Sequence, residues 1–156
     1  MKNHTIHAMG ATTEASCLAE NLVEAYLKTA YGVHASDVAG SFALRIGEPS
    51  DVLRALMTRF NRASTAYITA CNPFGEALSA QDNLARHQRL GQELAHRSLP
   101  HWPGIGEGPD GAWPGEDSFL VLGLDLVAAQ RLGQAFEQNA LVWAGSDAVP
   151  KLVLLR

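Results

Sequence analysis

Residues 119–124, Phe-Leu-Val-Leu-Gly-Leu, form an apolar run that predicts a central strand buried on both faces. Asp125 then predicts the N-cap of a helix. The inner stripe of that helix consists of Leu126, Ala129, Leu132 and Phe136. Two further predicted strands, 140–144 and 152–155, are joined through Gly145-Ser146-Asp147, a spacing that favours a closing hairpin.

Upstream of this stretch, the pattern predicts two pairs of a strand and a helix. Residues 42–46 alternate as in a half-buried strand, and Ser50 is placed to cap an amphipathic helix after it. A second strand over 65–71 ends at the turn Asn72-Pro73-Phe74-Gly75. A capping-box pattern then opens a long polar helix over 80–97.

The remaining segments are a first helix and a long loop. Helical spacing extends over residues 13–31, whereas 1–11 show no pattern and are predicted to form a loose N-terminal lead-in to a single domain over 12–156. The many glycines and prolines of 98–117 predict a loop that carries Trp102 and Trp113. A loop of this length is often a lid or a binding loop, or else wraps the surface with its tryptophans packed on the core.

This order of elements predicts an α+β domain. The expected architecture is a two-layer sandwich with a mixed, mostly βα-connected sheet of about five strands and a C-terminal hairpin. The alternative is a three-layer α/β arrangement. One-faced alternation in the first two strands favours two layers.

Composition excludes several classes of function. The chain has 156 residues, a formal net charge of -4 and no basic run, which argues against nucleic-acid binding. No apolar run approaches the length of a membrane span, and no signal peptide is evident, so we expect a cytoplasmic protein. Cys17 and Cys71 lie outside any CxxC unit, and neither a metal site nor a cofactor motif is predicted.

Polar residues where apolar ones are expected indicate the candidate site. On the helix over 80–97, Asn83 and Arg86 share the stripe of Leu90 and Leu94, and their end of the helix follows the strand that stops at Asn72. One interpretation is a pocket where Arg86 meets an anionic or amide-bearing ligand. The other is that Arg86 ties down the loop of Trp113 by bonding a carboxylate such as Glu116.

Two further pairs of polar residues flank predicted strands. Glu116 and Asp117 precede the central strand, and we expect Asp117 to be solvated. Gln138 and Asn139 precede the strand over 140–144. Their amides either recognise the hydrogen-bond donors and acceptors of a ligand or belong to a turn. The candidate ligand-binding set is therefore Asn72, Asn83, Arg86, Trp113, Glu116, Gln138 and Asn139.

Three strings of the sequence together resemble a bacterial family, the domain of unknown function 3293. They are Ala-Tyr-Ile-Thr-Ala-Cys-Asn-Pro-Phe at 66–74, Trp113-Pro114 through Ser-Phe-Leu-Val-Leu-Gly at 118–123, and Gln-Asn-Ala-Leu-Val-Trp at 138–143. The resemblance extends over most of the chain from about Leu22 onward. The family pattern has an aromatic residue before Asn-Pro, where this chain has Cys71. The resemblance implies a small stand-alone cytosolic protein and carries no activity to transfer.

Three hypotheses follow from the sequence. The first is a domain that binds a polar small molecule, such as a nucleotide-like metabolite, in a pocket at strand ends. The second is an enzyme with Glu116 as general base and Arg86 as anion stabiliser, in which Cys71 is the only tempting nucleophile. The third is a protein-interaction module that uses the loop between Trp102 and Trp113.

Overall fold

The computed structural model describes residues 18–111 and 115–156. The predicted lead-in over 1–11 and the residue Trp113 lie outside these ranges. Within them the chain forms four α-helices, seven strands and two short 3-10 turns. In chain order the helices and strands are α1 (Glu20–Leu27), β1 (Ala30–Ala35), β2 (Gly40–Leu44), α2 (Asp51–Arg59), β3 (Thr65–Thr69), α3 (Ala80–His96), β4 (His101–Glu107), β5 (Glu116–Leu122), α4 (Leu126–Ala135), β6 (Ala140–Ala144) and β7 (Lys151–Leu154).

The seven described strands form one sheet in the order β2-β1-β4-β5-β3-β6-β7, and every neighbouring pair is antiparallel. The predicted mixed, βα-connected sheet of about five strands is therefore wrong. The alternative three-layer α/β arrangement is also wrong, because it needs parallel pairs. A helix between two strands does not fix their direction. Here α3 leads from β3 to β4, and β5 later inserts between these strands antiparallel to both.

The predicted loop over 98–117 is largely strand. Residues His101–Glu107 form β4 with strict alternation of buried and exposed positions, and Glu116 and Asp117 open β5. Trp102 is buried and donates its indole N–H to Asp37 Oδ1 at 3.1 Å. The sequence pattern did not predict this strand, because the glycines and the proline of β4 are typical of loops. In the structure Gly104 is needed, because a Cβ there would collide with the carbonyl oxygen of Gly32 on β1.

The first predicted helix is shorter than expected. Helix α1 ends at Leu27, and the chain enters β1 at Ala30, so the predicted helical stretch 28–31 is wrong. Tyr31 fits the helical stripe in sequence, but in β1 it lies on a buried face together with Val33 and Ala35. Over a segment as short as 28–31, helical and strand spacing cannot be told apart in the sequence. The pairing of β1 with β2 and β4 therefore decides that Ala30 and Tyr31 are in a strand.

The predicted helix caps and the C-terminal hairpin are confirmed. Ser50 caps α2 by accepting from the Leu53 amide at 3.1 Å, and Ser79 caps α3 by accepting from Asp82 at the same distance. Asp125 caps α4 in the same way. Strands β6 and β7 pair as the predicted C-terminal hairpin.

Helices pack on both faces of the sheet, so the predicted two-layer sandwich is wrong. On one of these faces the helix covers only part of the surface. Helices α3 and α4 pack on the face that carries Ile68 and Val121. Helix α2 packs on the opposite face, over Leu122 and its neighbours, and the core there also includes Tyr31, Tyr67 and Trp102. In the β3–β5 register, Thr65 is opposite Leu122 and Thr69 is opposite Ser118, so the Ser118 end of this face lies beyond the α2 core.

We expect Gly104→Ala to lower the free energy of unfolding by at least about 2 kcal/mol, because the added Cβ forces β1 and β4 apart. Gly106→Ala is the matched control on the same strand, since its Cβ would lie 3.8 Å from the rings of Tyr31 and Tyr67. Denaturant unfolding of both variants measures the difference. Equal stability of the two variants would show that the close approach of these strands is not required.

Candidate functional site

A pocket occupies the end of the sheet face that lies beyond the α2 core. Its volume is about 80 Å³. Among the described residues it is lined by Tyr26, Thr29, Tyr31, Tyr67, Thr69, Asn72, Gly75, Gly106, Glu116, Ser118, Gln138, Asn139, Ala140, Leu141, Val142 and Leu152. The structure thus brings together Asn72, Glu116, Gln138 and Asn139 from the predicted set. Asn83 and Arg86 lie outside the lining.

Asn72 forms the centre of a side-chain network behind the pocket. It adopts left-handed backbone angles (φ 49°, ψ 66°), which asparagine tolerates better than most residues. Its Oδ1 accepts from the Leu78 amide at 3.0 Å and from Asn83 Nδ2 at 2.8 Å. Asn83 Oδ1 in turn accepts from the Asn72 amide at 2.9 Å. Asn83 therefore positions Asn72 from outside the pocket wall.

Glu116 is the acid of the pocket, and Asn72 holds it. Asn72 Nδ2 donates to Glu116 Oε2 at 2.8 Å. Over residues 18–111 and 115–156, Glu116 forms no ion pair and its Oε1 accepts no hydrogen bond. Burial raises the pKa of this carboxyl group, and the hydrogen bond from Asn72 opposes that rise only in part.

Gln138 and Asn139 form the wall contributed by the start of β6. Both are buried. Gln138 Nε2 donates to the carbonyl oxygens of Cys71 and Phe136, each at 3.1 Å, which fixes the orientation of its amide. Asn139 Oδ1 accepts from Arg156 Nη1 at 3.2 Å, and the Asn139 side chain lies near the Tyr26 hydroxyl, whose pKa it lowers against the rise that burial causes. The predicted turn role does not apply to these residues, because the left-handed residue is the preceding Glu137.

Arg86 is part of the fold and lies outside the pocket. Its Nε donates to the carbonyl oxygen of Ala70 at 2.6 Å, and its Nη2 donates to that of Phe136 at 2.5 Å. Its Nη1 lies 3.5 Å from Glu137 Oε1. The guanidinium thereby links the end of β3 to the end of α4, instead of meeting Glu116 as one sequence interpretation had it.

Cys71 is a buried thiol beside the pocket wall. Its Sγ lies 3.6 Å from the carbonyl oxygen of Asp117, and burial raises its pKa above the ordinary value. A reactive cysteine requires the opposite shift, which favours the thiolate. The geometry therefore gives no support to Cys71 as a nucleophile. The side chain of Asp117 is exposed, as predicted.

The hydroxyl-bearing residues of the pocket were not among the predicted site residues. Tyr67 and Thr69 lie two residues apart on β3, and Glu116 and Ser118 lie two apart on β5, so all four share one face. A run of polar groups at strand spacing on two paired strands was the available signal. Tyr31 could not be included, because it was assigned to a helix.

Among the described residues, no cluster of histidine, cysteine, aspartate and glutamate side chains could hold a metal ion. Nor does the described part of the chain contain a helix with the length and apolar character needed to cross a membrane.

Comparison with known proteins gives one match. Residues 68–141 match the model of a family described as a protein of unknown function (DUF3293), which confirms the resemblance noted in the sequence. No curated protein and no solved structure matches the chain significantly. The matched segment extends from β3 into β6 and includes Asn72, Glu116 and Gln138, whereas Tyr26 and Tyr31 precede it.

We expect Arg86→Ala to lower the free energy of unfolding by about 1–3 kcal/mol, because the Ala70 carbonyl then loses its side-chain donor and the β3–α4 link is lost. Arg131→Ala is the matched control, since Arg131 is exposed on α4, and it should change stability by less than about 0.5 kcal/mol. Urea unfolding monitored by tryptophan fluorescence distinguishes them. An Arg86→Ala variant as stable as the control would remove the structural role.

Proposed function

We propose that this protein, which matches the DUF3293 family model over residues 68–141, is a binding protein that takes a small polar group into the pocket at Glu116. The observation that carries the proposal is the state of Glu116 itself. Its carboxylate is half-buried, is held by one hydrogen bond from Asn72, and has no cationic partner among the described residues.

An unpaired carboxylate in such a position is unfavourable for stability. Burial disfavours its charged form, and a purely structural acid is normally paired with a base or with several donors. Perturbed ionisable groups in concave sites are instead typical of functional positions. The network of Asn83 and Asn72 orients the carboxylate without neutralising it, so its charge remains available to a ligand.

The size of the pocket bounds its ligand. One water molecule needs about 10–15 Å³ of such space, so a volume of about 80 Å³ admits a group of a few heavy atoms. A nucleotide-like metabolite, the ligand suggested by the sequence, would fit only with one end of the molecule inserted. A small molecule, or the end of a longer one, is the better match.

An enzyme with Glu116 as general base is the second candidate. The raised pKa of Glu116 supports it, because a base is more effective when its pKa approaches the working pH. Arg86 is not proposed as its anion stabiliser, since backbone carbonyl groups already engage the guanidinium.

The interaction module is less supported than a pocket binder, because the buried Trp102 offers no surface to a partner. We propose the cytoplasm as the compartment and no nucleic-acid or membrane partner, on the basis of the net charge of -4 and of a sequence without a basic run or a long apolar run.

Filling the pocket tests the proposal. In Gly106→Leu, the new side chain would extend into the cavity between Tyr31 and Tyr67, whereas Gly106→Ala adds only a Cβ at ordinary contact distance. We expect compounds that raise the melting temperature of the wild-type protein to lose their effect on Gly106→Leu and to keep it on Gly106→Ala. A ligand at 100 times its Kd stabilises by about 2.7 kcal/mol, which a thermal-shift assay detects.

Circular dichroism of the ligand-free variants provides the control for folding. Ligands that stabilise Gly106→Leu as strongly as the wild-type protein bind elsewhere, and that result would remove the pocket from the function.

A further inference from the structure

We propose that the group bound in the Glu116 pocket is an organic cation, a protonated or methylated amine on a short carbon chain. This inference rests on the proposed function and specifies the charge and hydrogen-bonding character of its ligand. Three independent features of the lining carry it: its charge, the direction of its hydrogen bonds and its tyrosine rings.

The charge of the lining is negative. Glu116 is the only ionic side chain among the described residues that form the pocket. Its Oε2 accepts from Asn72, and its Oε1 has no donor within 18–111 and 115–156. An anion placed there would face an unscreened carboxylate, whereas a cation would supply the missing partner.

Five of the six hydroxyl groups in the described lining are already used as donors, and the sixth, that of Tyr26, interacts with the Asn139 side chain. Five lining hydroxyl groups each donate to a backbone carbonyl oxygen: Thr29 to Ala25 at 2.8 Å, Tyr31 to Tyr26 at 2.6 Å, Tyr67 to Gly32 at 2.8 Å, Thr69 to Asp117 at 2.7 Å and Ser118 to Glu116 at 3.1 Å. A hydroxyl has one proton to donate, so these groups retain only lone pairs for a ligand.

The amides of the lining show the same bias. The Nε2 group of Gln138 uses its hydrogens on two carbonyl oxygens, so Oε1 is the atom that remains for a ligand. The Nδ2 group of Asn72 is directed at Glu116. Asn139 is the exception, because Arg156 Nη1 donates to its Oδ1 at 3.2 Å, which leaves Nδ2 as its donor toward Tyr26. The described lining still offers more acceptors than donors, and its complement is a group that donates several hydrogen bonds or carries positive charge.

The tyrosines offer ring surface to this group. The hydroxyls of Tyr31 and Tyr67 are paired with the backbone, while both side chains line the pocket. Their ring centroids are 5.3 Å apart at an interplanar angle of 70°. Aromatic faces attract organic ammonium groups, including methylated ones that cannot donate hydrogen bonds. This arrangement favours an organic cation over a metal ion, because the described lining holds one carboxylate and no cluster of acidic, histidine or cysteine side chains that could hold a metal.

The experiment compares three small probes of similar size that differ in charge: ethylammonium, acetamide and acetate. Each is titrated into ¹⁵N-labelled protein to roughly 100 mM, because so few atoms bind weakly, with sodium chloride at matched ionic strength as the blank. We expect saturable shifts of the Gly106, Ser118 and Gln138 amides with ethylammonium alone.

Glu116→Gln should weaken ethylammonium binding by about tenfold or more, because it removes the charge and preserves an acceptor for Asn72. Glu107→Gln is the matched control. It removes the same charge from the exposed face of β4, one residue from Gly106, and should leave the affinity unchanged.

The affinity of the wild-type protein should fall as the pH is lowered through the raised pKa of Glu116, since protonation removes the partner of the cation. Glu116→Gln should show no such dependence.

The possible failures are distinguishable. If acetamide or acetate binds at these amides as well as ethylammonium does, or if Glu116→Gln binds ethylammonium normally, the pocket binds ligands but the cation is excluded. If none of the three probes shifts the amides of Gly106, Ser118 and Gln138, both the proposed organic cation and the proposed binding function of the pocket are contradicted. Comparing ethylammonium with Nα-acetyl-lysine amide then separates a free amine from a lysine side chain as the source of the group.

Discussion

The hydrogen bond from Asn72 to Glu116 is the interaction on which the site depends, and it exists because β3 and β5 are antiparallel neighbours. Thr69 at the end of β3 is opposite Ser118, two residues into β5, so the turn that follows β3 meets the beginning of β5. Had these two strands been parallel, Asn72 and Glu116 would lie at opposite ends of the sheet.

One face of the sheet contributes to stability alone, whereas the other also carries the proposed binding pocket. One face is fully engaged with α3 and α4, and Arg86 ties these elements together through backbone carbonyl groups. The opposite face carries the α2 core at one end and the pocket at the other. Gly106, by lacking a side chain, leaves space between Tyr31 and Tyr67, so a strand composed partly of glycine creates the cavity.

Local features of the fold could be predicted from the sequence, whereas pairing could not. The caps at Ser50 and Asp125 and the closing hairpin depend on neighbouring residues, and the structure has them. Strand β4 was missed because its glycines and proline indicate a loop. Its place is set by contact with Gly32 on a strand about 70 residues earlier. Glu116 could be proposed from the sequence because it is a polar residue next to a predicted buried strand. Tyr31 and Tyr67 could not, because they reach the same pocket only through the pairing of β1, β4, β5 and β3.

Within the ranges that the structure describes, Glu116 is a half-buried carboxylate without a cationic partner. A carboxyl-detected NMR titration of glutamate-labelled protein measures its pKa directly, and Glu116→Gln assigns the signal. We expect the pKa of Glu116 to lie above the ordinary glutamate value of about 4.3. In Asn72→Ala the pKa should rise further, because the hydrogen bond from Asn72 to Glu116 favours the charged form of the carboxyl group. A pKa at or below the ordinary value would contradict the account, since it would mean that a cation or additional donors already satisfy the carboxylate.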